Sequence, residues 1–300
     1  VTAVLDVELP AEVDVSQHLV DAPGVYDLPE VAYHADPCRH TGGSASSTVL
    51  KHLIPPAVPA LARHAQLHPE YRDVFDLGSV THALTLGAGC PIVEVLADDW
   101  RTARAQAARL RARAAGQVAL LSKDLDRARR MADAVLSDPD AAAILRRLPG
   151  APERVLVWDE GTGDERVRCR ALLDRWPAPD VQHVPIVGDL KTADDLDDEA
   201  LTRSFWRLGY RVQRVHYGRG YRAVHGVDPQ FVFVVVRKNP PHLVRLVELS
   251  DRAVRIAQDE HEQALDVWRR CTAADDWPGY APGLLTLDPP RWVRTEGDYW

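Results

Sequence analysis

Three things are scarce in this 300-residue chain, and each scarcity excludes something. Its four cysteines, Cys38, Cys90, Cys169 and Cys271, are scattered, with no CxxC pair anywhere. That pattern speaks against a zinc or iron–sulfur site and against a disulfide framework, and predicts reduced, mostly buried thiols. Long apolar runs are missing too: no stretch approaches a bilayer span, and the first residues carry no basic segment followed by an apolar one. The expectation is a cytoplasmic protein with no membrane partner. The third scarcity is lysine. Lys51, Lys123, Lys191 and Lys238 are the whole complement, in a chain with 36 lysines and arginines together. Arginine is planar and permanently charged, so a retained lysine marks a place where a compact, tunable ammonium is of use.

The net charge of −8 excludes a protein that coats nucleic acid by bulk electrostatics, but not an enzyme with a basic channel on an acidic body. Arginine is dense over residues 101–130 and again over 203–222. Each cluster reads either as a solvated helix face or as a path for DNA, and 101–130 is the candidate for the path. The glycines of "HYGRGY" do not follow a strand and carry no dinucleotide fingerprint.

Along the chain, residues 1–40 read as an extended arm with peripheral strands. Residues 41–150 read as mainly helical, and 151–300 as a sheet-and-helix core, all within a single domain. "SASSTVLKHL" (44–53) enters a helix with Ser44, Ser46 or Ser47 as its N-cap. "DLGSVTHALTL" (76–86) is a helix that ends at Gly87 and Gly89. After Pro152, "ERVLVWDE" and "ERVRCRALLDRW" flank the turn signal "GTGD" and predict a β-hairpin. "HVPIVGDLKT" predicts a third strand, and residues 197–224 one long helix. "PQFVFVVVRKN" and "HLVRLVELS" predict two more strands, followed by a helix that Ser250 or Asp251 caps. The fold class expected is a mixed β-sheet flanked by helices, with a helical N-terminal half.

Side chains alternate along a strand, so Val187, Asp189 and Lys191 share a face. If the strands that carry Asp174 and Asp189 are neighbours, the two carboxylates converge near their ends. With the backbone carbonyl of Leu190 they would offer hard oxygen ligands suited to Mg²⁺ or Mn²⁺. A lysine beside such a site can orient or deprotonate a water, or neutralise a phosphoryl oxygen. Gly188 is expected to leave room beside Asp189. The acids from Asp194 to Glu199 read as a helix N-terminus rather than as further ligands. Tyr217 and Tyr221 read either as packing residues or as platforms for bases.

The arrangement "CRALLD" (169–174), "GDLKTADD" (188–195) and "YRVQRVHY" (210–217) resembles the PD-(D/E)xK nuclease superfamily, and within it the RecE-type exonucleases (exonuclease VIII-like) of phages and prophages. "PGVYDLPEVAYHADP" (23–37), the serine-rich helix start at 44–53, the "LGxxxH" of 76–86 and the "WP…L…PRW" of 277–292 resemble that family's remaining motifs, in its order. The resemblance implies His82, Asp174 and Asp189 as metal ligands, Lys191 acting on the attacking water, and Gln213 and Tyr217 as a Gln-x-x-x-Tyr pair beside it. It also implies digestion of double-stranded DNA from its ends, 5′→3′ polarity, a ring-shaped homo-oligomer and a single-strand annealing recombinase as partner. This chain departs from the pattern at Leu173, where the family places proline, and Asp180 is a competitor for the role of Asp174. Two alternatives stay open: a RecB-like or CRISPR-associated nuclease that prefers single-stranded ends, and a catalytically silent DNA-binding module. The iron–sulfur relatives are excluded, because only Cys271 lies near the C-terminus.

Overall fold

A computed structural model describes residues 14–68, 76–180 and 182–288. The start of the arm (1–13) and the end of the "PRW" motif (289–292) lie outside the described residues. In the N-terminal half, β1 (Gly24–Tyr26), α1 (Glu30–His34) and β2 (Ala45–Ser46) precede α2 (Ser47–Leu50) and α3 (Pro59–Leu67). Ser46 caps α2 by accepting from the Val49 N–H, while Pro59 opens α3 at a position that needs no N–H donor. Then come α4 (Asp76–Leu86), β3 (Ile92–Val95), α5 (Ala103–Ala114), β4 (Val118–Leu121), α6 (Ser122–Ser137) and α7 (Pro139–Ala142), with a π-turn over Ala143–Arg147.

This half is not purely helical. β3 and β4 pair in parallel as a small second sheet, with α5 as their crossover. Sequence reading missed them because each is only four residues long and sits among alanine-rich helices, where period-2 alternation has no length in which to show.

The C-terminal half holds the main sheet. The long hairpin of β5 (Gly150–Glu160) and β6 (Val167–Pro177) is followed by β7 (Ile186–Ala193), α8 (Asp198–Arg207), α9 (Tyr210–His225), β8 (Gln230–Arg237), β9 (Val244–Val247) and α10 (Asp251–Ala274), the last capped by Ser250. The strand order is β1-β5-β6-β7-β8-β9, with β2 alongside the first half of β6. All neighbours on this path are antiparallel except β7 and β8, which α8 and α9 connect as a parallel crossover. The single helix expected over 197–224 is therefore two. Gly209 breaks it at φ +73°, a conformation glycine adopts without a steric penalty.

The two largest cores result from the period-2 alternation. Leu156, Trp158, Leu173, Val187, Phe231, Phe233 and Val235 face α2, α8, α9 and α10. Leu190, Val232, Val234 and Val236 face α6 and the π-turn. Gly188 belongs to the second core. A Cβ there would lie 2.6 Å from Ile144 Cγ2 and 3.1 Å from Leu145 Cδ2. The room it provides is filled by the π-turn, and does not serve Asp189 as expected.

The N-terminal arm is tied to β6 by Arg170, whose side chain is buried. Its guanidinium donates to the Ser44 carbonyl (2.5 Å) and Oγ (2.9 Å) and pairs with Asp36 at 3.1 Å. Ser44, one of the three cap candidates, is used in this network instead.

Gly220, inside α9, is a costly helix residue with a packing reason. A Cβ there would meet the buried Trp158 ring at 2.6 Å. Gly220→Ala should therefore destabilise the fold by about 1–3 kcal/mol despite its gain in helix propensity. Urea unfolding measures this, and a neutral or stabilising result would show that the Trp158 ring yields.

Below that ring, His216 and His261 form a fully buried pair, Nδ1 to Nε2 at 2.9 Å, and His216 Nε2 donates to the Arg170 carbonyl. Burial pulls His216 down to about 4 and His261 to about 2, the latter helped by His216 itself. The unfolded chain, with imidazoles near 6.5, takes up protons first as the pH falls, so stability declines from about pH 6.5 towards about 4. His261→Gln should make that decline shallower by about one proton in urea titrations at stepped pH. An unchanged slope would mean that His261 titrates normally.

Candidate active site

Asp174 and Asp189 stand across from each other where β6 and β7 part. The two strands share one rung, Arg175 to Gly188, and separate beyond it. The Leu190 N–H, which a continuing ladder would have given to a backbone carbonyl, donates instead to Asp174 Oδ2 at 2.8 Å. Burial raises the Asp174 carboxyl above its usual range, while Lys191 and the Leu190 N–H act to lower it.

Asp189 points to the α9 side of the sheet with 1% of its side chain exposed. Gln213, one turn into α9, donates to its Oδ1 at 2.7 Å, and Lys191 Nζ lies 2.5 Å from its Oδ2. Burial pushes Asp189 up to about 6 against the pull of Lys191. For Lys191, burial favours the neutral amine, but the Asp189 and Asp174 carboxylates outweigh it and hold the proton more firmly than in an ordinary lysine. Its ammonium also sits 5.0 Å from the centre of the Tyr210 ring. Tyr217, one turn after Gln213, is buried and kept protonated, chiefly by desolvation and then by Tyr33, Asp189 and Asp174, while the Gln213 amide acts on its hydroxyl. Tyr217 and Tyr221 are both packing residues, at 6% and 0% exposure, so neither offers a ring face to a base.

His82 reaches this place from the other half of the chain. α4 packs on β7, where a Cβ built on Gly78 would lie in ordinary contact, 3.7 Å, with Thr192 Oγ1. From there His82 Nδ1 approaches Asp174 Oδ2 to 3.4 Å, and the Leu190 backbone hydrogen-bonds the ring. Burial, then Lys191, lowers its pKa to about 4, so the ring is neutral at physiological pH and keeps a lone pair. His82, Asp174 and Leu190 are thus linked directly, and Asp189 is joined to them through Lys191 and its own effect on His82. As placed, no three His, Cys, Asp or Glu side chains among the described residues are grouped so as to hold a metal ion. The oxygens of Asp189 face Lys191 and Gln213. The donors themselves, two carboxylates, a backbone carbonyl and a neutral imidazole, suit a hard divalent cation.

Asp180 does not compete for the role of Asp174. It is exposed and spends its carboxylate on the Gln182 N–H and His183. Asp197 caps α8 through the Ala200 N–H, so the acidic run begins a helix. The arginines of 203–222 are largely consumed by carboxylates: Arg203 by Glu199, Arg211 by Glu260, Arg219 by Glu160 and Glu262, and Arg222 by Asp228.

Two acids that the sequence did not single out join the site's field. Glu30 acts electrostatically on His82, Asp174 and Glu153. Glu153 is raised to about 7 by burial, then by Glu30 and Asp174. Glu30 stood inside the quoted "PGVYDLPEVAYHADP" and could have been picked out there. Glu153 gave no signal, since its place depends on a left-handed backbone kink at φ +47° within β5.

A family model described as "PDDEXK-like domain of unknown function (DUF3799)" matches residues 46–284. No curated protein matches. Among solved structures, the chain is similar to the crystal structure of a "Putative exonuclease" from Eubacterium rectale, with a TM-score of 0.58 and 12% identity over 88% of this chain and 96% of that one. At that identity the likeness shows a shared fold: the mixed sheet with flanking helices described above.

Gln213 is the only neutral donor on Asp189 among the described residues, so it fixes the carboxylate without cancelling its charge. Gln213→Leu should weaken Mn²⁺ binding about 10–100-fold, read by calorimetric titration, with the fold retained. Unchanged affinity would remove Gln213 from the site.

Proposed function

The chain belongs to the PDDEXK-like family DUF3799, and on that premise we propose that it is a metal-dependent exodeoxyribonuclease acting on the ends of linear duplex DNA. The observation that carries the proposal is the pair of Lys191 and Asp189 at 2.5 Å, on a strand whose neighbour supplies Asp174. In this reading Asp174, Asp189, the Leu190 carbonyl and His82 hold Mg²⁺, with Mn²⁺ as a substitute. A bound divalent cation supplies Lewis acidity at the phosphoryl group and lowers the pKa of an adjacent water.

The chain's own groups do the rest. Lys191 keeps its proton under two carboxylates, so it acts as a donor. It orients the attacking water and neutralises charge that grows on the phosphoryl oxygens, rather than taking up the proton itself. Gln213 locks Asp189 towards the reacting phosphate. Tyr217 stays neutral and closes the site from below. The resemblance to RecE-type exonucleases supports the finer parts of the reading: 5′→3′ digestion, a ring-shaped homo-oligomer, and a single-strand annealing recombinase that receives the product in phage-type recombination.

End-labelled linear duplex and closed circular DNA, incubated with Mg²⁺, test the proposal. Linear duplex should be degraded and the circle spared, and Asp189→Ala should be inactive. Lys191→Arg should fold and bind metal yet lose about 10²–10³-fold in rate, because the planar guanidinium cannot place its donors where the compact ammonium does. Equal degradation of the circle would sink the exonuclease claim, and activity in Asp189→Ala would sink the site.

A further inference from the structure

One cation near this site has no counter-charge among the described residues. Lys51 ends α2, half-buried, and among the described residues no carboxylate pairs with it and no hydrogen bond engages its ammonium. Its side chain packs on Gly209, the residue that breaks α8 from α9. A Cβ at 209 would lie 2.9 Å from Lys51 Cβ and 3.0 Å from its Cδ. Glycine at this position thus satisfies the backbone at φ +73° and also admits the lysine stem.

The next residue, Tyr210, carries the ring on which Lys191 rests at 5.0 Å. Lys51 and Lys191 therefore flank the first turn of α9, which no side chain caps. Lys51 is lowered by burial and then by the charge of Lys191. Lys191 has Asp189, whereas Lys51 has no carboxylate partner among the described residues. Placing a second, uncompensated ammonium beside the first raises the energy of the free protein, and only an anion from outside the chain would relieve it.

Building on the nuclease reading, we propose that Lys51 holds a phosphate of the bound DNA strand next to the phosphodiester that is cut, with the open first turn of α9 as its floor. Lys51 is then a substrate-binding residue that sets the register of the strand against Lys191 and Asp189. It takes no part in holding metal. Its contact is with the phosphate and is therefore independent of base sequence.

The test uses the full chain with Lys51→Met, which keeps the stem against Gly209 and removes the charge, and with Lys51→Arg, which restores a cation. Binding of a fluorescent duplex is followed by anisotropy in EDTA over a range of salt concentrations. Thermal unfolding without DNA and kcat and KM with Mg²⁺ complete the set. Lys51→Met should lower the slope of log K against log salt by about 1 and weaken binding uniformly across sequences. KM should rise more than kcat falls, and the melting temperature should hold or rise, because an unpaired charge has gone. Lys51→Arg should recover the slope.

Unchanged slope and affinity in Lys51→Met, with an active wild type, would overturn the Lys51 assignment alone. So would loss of binding that comes with a lowered melting temperature, since Lys51 would then be a structural residue. A wild type that neither binds nor cleaves linear duplex would overturn the nuclease reading and this inference with it.

Discussion

The carboxylate of Asp189, with 1% of its side chain exposed, is the constraint around which this half of the molecule is arranged. A buried carboxylate that loses its partner costs on the order of 3–5 kcal/mol, so its neighbours cannot be placed independently of it. Lys191, two residues along the same strand, supplies the charge, and Gln213 supplies a hydrogen bond without charge. Gln213 can do so only if α9 begins where it does, within reach of Asp189 on β7. The break at Gly209 sets that start, and the close approach of Gly220 to Trp158 seats the same helix along β5. Two glycines that each cost helix stability are thereby tied to the position of one acid.

A second constraint acts from the opposite side. β6 and β7 part after a single rung, which leaves a backbone N–H at Leu190 that must be satisfied. Asp174 satisfies it, and this fixes the carboxylate beside the strand rather than in solvent. α4, packed on β7, brings His82 to the same carboxylate. The burial that this approach imposes keeps His82 neutral, the form in which an imidazole can serve as a ligand. The arm is joined to the sheet by the Arg170 network, which also brings Glu30 into the field of the site.

Local pattern made much of this legible. The hairpin of β5 and β6, the strand with Asp189 and Lys191, and α10 with its Ser250 cap follow from alternation, turn residues and capping, all of which act over a few neighbouring residues. The shared face of Val187, Asp189 and Lys191 follows from the pleat alone. What was not legible depends on contacts distant in sequence. Residues 197–224 carry a helical pattern, but Gly209 breaks it at φ +73°, and Lys51, far back in the chain, packs against that glycine. Gly188 reads as space for its neighbour Asp189, yet the π-turn over Ala143–Arg147 fills it. The arginines of 203–222 read as a basic surface, but Glu160, Glu199, Glu260 and Asp228 take them up.

The sequence by itself named the candidate residues, through scarcity of lysine, acids at strand ends and a resemblance that supplied the Gln-x-x-x-Tyr pair. It also determined the order of the main-sheet strands from β5 onwards, since hydrophobic periodicity is local too, but not the short pair β3 and β4 or the break between α8 and α9. Tertiary structure alone decided which acid stands with which cation. Asp174 rather than Asp180 meets the Leu190 N–H, Lys191 is paired while Lys51 has no carboxylate partner among the described residues, and Glu153 is drawn into the site by a kink in its strand. The physical reason is range. Propensity and alternation act between near neighbours in the chain, whereas burial and charge act between whatever groups the fold brings together.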